Sequence, residues 1–351
     1  MHLEIVENKK QKKEFLNFRN SIYKGDKFYV STTEFNFLML FDKTTEFARS
    51  CVIRPVYVKE ESNVLAEALL IKAPNDDFVQ IAFFEALENV NEAVDLIKVY
   101  SREFAKEFNV KRIIVGLCGH LSYGVGFTVD IDKPNTFDSL YTKQYYADYF
   151  DGYIKHELCA FSNELKNLYP YMRERKSEIN IRPVNLKDFY NEMLLFRDIT
   201  EKTIGKTFLY SKTKENHFYE LINEMKSFLK PENILFAFHK DKLVGYMFWH
   251  PDYNEILSKG KIESILTIAI KYIFNNKKIK RVKLNAIGVL EEYEGFVTMA
   301  LLNEASKYTK NFDVIETNFV WKNNVKSMRI NSHLLKNVER TFVVFEEVLC
   351  E

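Results

Sequence analysis

The second half of the chain holds residues whose types suit proton transfer. His250 ends the largely apolar run Leu243–His250. Asp252 follows this run, and Glu255 comes shortly after it. An imidazole or a carboxylate at the end of a strand can act as a general base when it lies within hydrogen-bond reach of an amine. Pro251-Asp252 is also a common turn sequence, so a purely structural role for these residues stays open.

Asn324 and a loop in the first half hold further polar side chains that could contribute to a site. Asn324 begins a predicted helix, where its amide could contact a substrate, although Asn is equally a favoured N-cap residue. In the first half, the glycine-containing loop Gly116–Gly126 carries His120 and Tyr123, which could line a cleft between domains. No regular helix clearly follows this loop, so it is not a dinucleotide or P-loop fingerprint, and a polar loop at a strand end is the alternative interpretation.

The composition describes a globular, nearly neutral chain. It has 351 residues, of which 46% are hydrophobic, and its 50 Lys and Arg are balanced by 49 Asp and Glu. This balance predicts neither nucleic acid nor an anionic membrane surface as a partner. The four cysteines lack CxxC spacing, which argues against a zinc site and a disulfide framework. The sequence shows no secretory leader and no run of about 18 apolar residues, so we expect a cytoplasmic protein.

Hydrophobic periodicity predicts similar elements in both halves. The first half is predicted to contain a helix at Lys9–Tyr23, strands at Cys51–Val58, Val64–Lys72 and Phe78–Glu85, a helix at Asn89–Asn109, a strand at Val110–Leu117 and a short helical segment at Gln144–Phe150. The second half is predicted to contain strands at Ile179–Val184, Ile234–His239, Leu243–His250, Arg281–Val289, Val314–Phe319 and Thr341–Val348, and helices at Leu186–Thr203, Lys214–Leu229, Ile262–Phe274, Thr298–Tyr308 and Asn324–Leu335. A hairpin followed by alternating strands and helices predicts an α/β fold with mixed sheets. The polar stretch Tyr169–Glu178 predicts a boundary between domains 1–175 and 176–351.

Several stretches together resemble a known superfamily. They are Leu16–Val30, Ile81–Glu85, Thr142–Phe150, Lys242–Leu257, Ile287–Leu302 and Glu316–Met328. Their order and spacing are similar to those of bacterial proteins that carry two domains of the GNAT superfamily (GCN5-related N-acetyltransferases) in tandem. The resemblance implies an α/β protein with two GNAT-like domains.

The resemblance also implies a cofactor, acetyl-CoA or another acyl-CoA. Its pantetheine would pair with the strand Arg281–Val289, which places Ala286, Ile287, Gly288 and Val289 at the cofactor. Its pyrophosphate would meet Gly295, Phe296, Val297 and Thr298 at the start of the next helix. Unpaired N–H groups and the positive end of the helix dipole make such a helix start an anion site.

The phosphate loop departs from the family pattern. Glu294 stands where the family has Gln or Arg, and Val297 stands where it has Gly, so we expect the valine side chain to block part of the phosphate cradle. Glu291 and Glu292 add negative charge beside it. Counting seven residues from Asn324 gives Asn331, where many family members carry a tyrosine acid. A degenerate loop is therefore expected, and a capped helix that binds nothing is the alternative.

Three functions remain open. The chain could transfer an acyl group from acyl-CoA to a small-molecule amine or a peptide, or it could be an inactive GNAT-like module that binds a ligand or partner. The third is an aminoacyl-tRNA-dependent transferase, which its neutral charge disfavours because such enzymes need a basic surface. A homodimer is one assembly that the sequence leaves open.

Overall fold

The computed structural model describes residues 1–30, 34–130, 133–168, 178–260 and 263–350. The chain forms two compact units. Unit 1 comprises Met1–Leu158, Ser258–Glu263 and Arg340–Glu351, and unit 2 comprises Cys159–Leu257 and Ser264–Glu339. Residues 159–168 therefore belong to unit 2, and residues 340–350 to unit 1. The predicted boundary between residues 175 and 176 lies outside the described residues and stays a prediction.

The helices and strands follow one another in an alternating α/β order. Up to the middle of the chain they are β1 (His2–Ile5), α1 (Lys9–Ile22), α2 (Glu34–Phe41), α3 (Glu46–Ser50), β2 (Val52–Glu60), β3 (Asn63–Lys72), β4 (Val79–Ala86), α4 (Asn91–Glu107), β5 (Arg112–Val115), β6 (Phe127–Thr128) and β7 (Ile154–Glu164). The remainder are β8 (Ile179–Pro183), α5 (Phe189–Ile204), α6 (His217–Asn223), β9 (Ile234–His239), β10 (Lys242–Pro251), α7 (Ile265–Asn275), β11 (Arg281–Val289), α8 (Phe296–Ser306), β12 (Val314–Thr317), β13 (Val320–Trp321), α9 (Val325–Leu334) and β14 (Asn337–Val348).

In unit 1 the strands run in the order β1-β2-β3-β4-β5-β14. The pair β4 and β5 is parallel, and the other neighbours are antiparallel. Helix α4 carries Val94, Ile97 and Phe104 at helical spacing, and all three are buried. This apolar face joins the core that the sheet residues form, as the hydrophobic periodicity predicts.

In unit 2 the order is β7-β12-β11-β10-β9-β8. Strands β11 and β12 are parallel, and the other neighbours are antiparallel. Val297, Leu301 and Ala305 of α8 are buried at helical spacing and pack in the core with Met247 and Trp249 of β10. The parallel pair is joined through α8, which is the crossover that parallel strands require.

Most predicted elements are present, including both hairpins and the full span of β11. Helix α6 is shorter than the predicted Lys214–Leu229, and the predicted helical segment Gln144–Phe150 is a pair of 3-10 turns. Strand β7 is absent from the prediction; its exposed first residues are mostly polar, and its buried part ends at Asn163, a weak strand former. Within the part of the chain that the structure describes, no helix is long and apolar enough to cross a bilayer.

Candidate functional site

Strands β11 and β12 separate part-way along their length. Their parallel pairing runs from Arg281↔Val314 to Leu284↔Thr317. Asn318 then donates its backbone N–H to the carbonyl of Leu284 at 2.8 Å. Beyond this point β11 continues to Val289 paired with β10. We call this divergence the unit 2 fork. Among the residues that the structure describes, no strand pairs with the β12 side of β11 beyond it, and we call this segment of β11 the open strand edge.

A β-bulge on β11 lies at the fork. Phe248 pairs with Ala286 and Trp249 pairs with Leu284, which leaves Asn285 as the extra residue. Bulges redirect side chains and often adjoin active sites. Asn285 accepts a 2.7 Å hydrogen bond at Oδ1 from Nδ2 of Asn318, and its own Nδ2 lies 3.5 Å from Nε2 of His250. The bulge therefore gathers three polar side chains where the strands part.

His250 is fully buried in this polar cluster. Its Nδ1 lies 2.9 Å from the carbonyl of Pro251, and because a carbonyl only accepts, Nδ1 is assigned the proton. Nε2 then presents its lone pair toward Asn285. The pKa of His250 is lowered to about 3, chiefly by burial and also by the neighbouring charge of Lys283, while the hydrogen bond to Pro251 acts in the opposite direction. The imidazole is therefore neutral at physiological pH.

Asp252 and Asn324 make structural hydrogen bonds. Oδ1 of Asp252 accepts the backbone N–H of Asn254 at 3.2 Å and begins the 3-10 turn after β10. Asn324 is the N-cap of α9, and its Oδ1 accepts the backbone N–H of Ser327 at 3.0 Å. The turn and N-cap interpretations of these residues are thus confirmed, and a catalytic role for either stays a prediction.

A mostly apolar cavity of about 60 Å³ lies between β11, β12, α8 and α9. Its lining residues are Leu168, Leu284, Ile287, Thr298, Met299, Leu302, Ile315, Ile330, Asn331, Leu334 and Leu335. Predominantly apolar walls with a few polar groups are typical of small-molecule sites. Of the predicted cofactor residues, Ile287 and Thr298 line this cavity.

Sequence reasoning missed the contribution of α9 to the cavity. Ile330, Asn331, Leu334 and Leu335 all line it. Asn331, Leu334 and Leu335 follow Ile330 by one, four and five positions, which places all four residues on one face of a helix. This pattern is visible in the sequence. From the sequence alone, Asn331 stands out only as the position where many GNAT enzymes carry a tyrosine.

The turn into α8 is built on Gly295. Its φ of 74° and ψ of −58° are those of a γ-turn, which the backbone N–H of Phe296 closes by donating to the carbonyl of Glu294 at 2.9 Å. A side chain at residue 295 would meet nothing within 4 Å, so the glycine is required by the backbone conformation. The first turn of α8 has no side-chain cap, and within the described residues the N–H groups of Val297 and Thr298 are the ones left for another acceptor.

The expectation that Val297 obstructs the phosphate cradle is wrong. Its side chain is fully buried and lies against Gly245 of β10, because this position of α8 faces the sheet. The acidic residues also have partners, since Glu294 forms an ion pair with Lys326 and Glu292 forms one with Lys242 at 3.0 Å. The surface of the turn is therefore less obstructed and less negative than its sequence indicates.

Gly288 has a packing role. A Cβ at this residue would lie 2.2 Å from Oγ1 of Thr203 and 2.5 Å from Cε1 of Tyr246. The glycine thus lets α5 approach β11 closely, beyond the fork. Ala286 and Val289, the other predicted cofactor residues on this strand, are partly buried on the same open segment.

The polar loop of the first half does not present its side chains to an open surface. His120 is fully buried and accepts the backbone N–H of Ser122 at Nδ1, at 3.1 Å. Tyr123 is also buried. Both residues are part of the interior of unit 1.

Solved structures resemble the chain over its whole length. A tandem GNAT protein from the clavulanic acid biosynthesis pathway matches 100% of this chain and 99% of its own, with a TM-score of 0.56 and 9% identity. The chain adopts a tandem GNAT fold. A probable N-acyltransferase from Enterococcus faecalis V583 is similar to 99% of the chain over 72% of its own length, with a TM-score of 0.57 and 8% identity.

A third similar structure is the GCN5-related glucosamine N-acetyltransferase region of a fungal multi-domain GH3 β-N-acetylglucosaminidase. It covers 99% of this GNAT-fold chain and 38% of the fungal protein, with a TM-score of 0.58 and 9% identity. At such identities the likeness concerns the fold alone. No protein-family model and no curated protein matches the chain.

Proposed function

We propose that unit 2 binds an acyl-CoA and transfers its acyl group to an amine. The observation that carries this proposal is the fork, where an open strand edge, an apolar cavity and a polar cluster meet within one unit. An acyl-CoA supplies an acyl carbon activated as a thioester. The residues of unit 2 would bind it, orient it and exclude water.

The donor would be held by β11, α8 and α9. The open edge of Ala286–Val289 offers backbone groups to the amides of a pantetheine, and Ile287, Met299 and Ile330 offer apolar contact. The uncapped first turn of α8 offers N–H groups to the diphosphate. The burial of Val297 supports this arrangement because its side chain leaves the turn clear.

The polar cluster would act by positioning. With a pKa of about 3, His250 is a weak base at neutral pH, so its proposed role is to hold the amide of Asn285 at the fork. Rate enhancement would then come from orientation of the reacting groups and from fixed dipoles near the thioester oxygen. Asp252 and Asn324 would support the elements on either side.

A module that binds CoA at the fork without catalysing transfer is the second candidate. It is favoured by Asn331, which lines the cavity at the position where many GNAT enzymes have a tyrosine acid. Both candidates predict binding of CoA at the fork, and they differ in whether free CoA appears when acetyl-CoA and an amine are supplied together.

Binding is tested by thermal unfolding with CoA and acetyl-CoA. A ligand present at 100 times its Kd stabilises the folded state by about 2.7 kcal/mol. Ile330→Trp should abolish this shift by filling the cavity from the partly exposed face of α9. Ser332→Trp is the matched control, since Ser332 is exposed on the same helix and does not line the cavity. No shift at millimolar CoA would reject both candidates, and mass spectrometry of CoA released in the presence of an amine panel distinguishes them.

A further inference from the structure

Unit 1 contains a fork of its own. Strands β4 and β5 pair in parallel from Val79↔Ile113 to Ile81↔Val115. Beside the point of divergence, the pairing of β4 with β3 shifts register between Glu67 and Leu69, and Phe83 takes a φ of 48°. As in unit 2, the bulged strand then leads into a helix, here α4.

The edge of β4 beyond this fork is bonded by tyrosine hydroxyls. Ala86 donates its N–H to the hydroxyl of Tyr146 at 3.2 Å, and the hydroxyl of Tyr145 donates to the carbonyl of Ala86 at 2.8 Å. In the loop before α4, Val90 donates its N–H to the hydroxyl of Tyr149 at 3.2 Å, and this hydroxyl donates to the carbonyl of Leu87.

Glu85 holds the segment Tyr145–Tyr149 in place through Tyr146. This buried carboxylate accepts the hydroxyls of Tyr146 and Tyr23, each at 2.7 Å, and forms an ion pair with the buried Arg19 at 2.9 Å. Charged hydrogen bonds of this kind are strong when buried. The ring of Tyr146 is fully buried and packs edge-on against Phe84, with ring centroids 5.2 Å apart.

Little space remains at this fork. A cavity of about 20 Å³ lies among Arg19, Tyr23, Glu85 and Tyr141, compared with about 60 Å³ at the unit 2 fork. The smaller volume accommodates about one water molecule. The same kind of backbone opening is therefore filled in unit 1 and unfilled in unit 2.

We infer that Tyr145–Tyr149 closes the fork of unit 1 as a built-in occupant, so that unit 1 takes no acyl donor. The number of CoA molecules bound rests on the function proposed for unit 2. Since the fork of unit 1 is closed, the chain then binds one CoA and not two. The closure itself is a property of unit 1 and can be measured without any ligand.

Hydrogen exchange read by mass spectrometry tests the closure. In the protein without ligand, the amides of Ala86 and Val90 should exchange slowly, and 1 mM CoA should leave their rates unchanged. The double variant Tyr146→Phe, Tyr149→Phe removes both hydroxyl acceptors and should speed their exchange by about five- to tenfold. Tyr153→Phe is the matched control, because the hydroxyl of Tyr153 bonds Glu347 and not β4.

The outcomes separate this inference from the proposed function. Fast exchange of Ala86 and Val90 in the wild-type protein, new protection there on adding CoA, or two CoA per chain by calorimetry would each overturn the closure. If the double variant does not fold, the wild-type exchange rates alone still decide. Absence of CoA binding together with slow exchange would reject the function proposed for unit 2 and leave the closure supported.

Discussion

Asn318 joins the two arms of the unit 2 fork by donating Nδ2–H to Oδ1 of Asn285 at 2.7 Å. Asn285 is the bulge residue of β11, and Asn318 is the first residue after β12. The bond therefore connects β11 and β12 through the residues that directly follow their last paired residues, Leu284 and Thr317. The Nδ2 atom of the same Asn285 amide faces His250 on the neighbouring strand β10. One side chain therefore connects the fork to β10.

Asn285→Ala should destabilise the protein by about 1–3 kcal/mol. The substitution leaves the amide of Asn318 and Nε2 of His250 without this partner, and unsatisfied buried polar groups cost free energy in this range. Urea unfolding followed by circular dichroism measures the change. Asn180→Ala, at an exposed position of β8, is the control and should be nearly neutral. A loss as small as that of the control would show that the cross-fork bond contributes nothing.

His250 should make the protein less stable as the pH falls. The pKa is about 3 in the folded chain and about 6.5 when unfolded, so between these values the unfolded state binds one more proton. The free energy of unfolding then rises with pH by about 1.4 kcal/mol per unit, and stability is lost as the pH falls below about 6.5.

The measurement is denaturant unfolding of the wild type and His250→Gln between pH 7 and 5. Because other groups titrate alike in both proteins, the difference between their stabilities should shrink by about 2 kcal/mol over this range. Parallel pH curves for the two proteins would mean that the histidine is not neutral in the folded state.

Gly288→Ala should destabilise unit 2 through a steric clash. The new methyl group would lie 2.2 Å from Oγ1 of Thr203, so α5 must move away from β11. Overpacking of this kind typically costs about 1–3 kcal/mol. Gly295→Ala is the informative comparison, because its methyl group meets no neighbour and only its backbone conformation is strained.

Thermal unfolding and CoA titration of both glycine variants separate the two effects. Thr203→Ala combined with Gly288→Ala should recover part of the lost stability, whereas it should not help Gly295→Ala. If Thr203→Ala changed the stability of Gly288→Ala and of Gly295→Ala by the same amount, the steric explanation would be contradicted.

The sequence predicted the strands of the fork better than its side chains. Polar and apolar residues alternate from Arg281 to Ala286 and a basic turn precedes the run, so the sequence predicts β11 over its full length. The orientation of Val297 was not accessible, because it depends on how α8 is rotated against the sheet. The valine was expected at the ligand surface and lies in the core.

The closure of the unit 1 fork was also beyond sequence reasoning. Tyr146 and Glu85 are 61 residues apart and meet only in the folded chain. Tyrosine-rich segments are most simply explained as core packing, since a ring supplies large apolar area. That explanation holds for the rings, but hydroxyl partners depend on tertiary contacts that periodicity does not report.

Arg281→Met should be among the most destabilising single changes in unit 2. Glu316 is fully buried on β12 and forms an ion pair with Arg281, which also lies 3.3 Å from Glu339. Removing the arginine leaves a buried carboxylate without this cation, a loss that typically costs about 3–5 kcal/mol. Replacing both members, as Arg281→Met with Glu316→Met, should recover part of the lost stability, because the fully buried carboxylate is then removed together with its cation. The exposed pair Lys242 and Glu292 provides the comparison, and Lys242→Met should change the urea midpoint little. If the double variant were no more stable than Arg281→Met alone, the cost would lie in lost packing of the arginine stem and not in the stranded charge of Glu316.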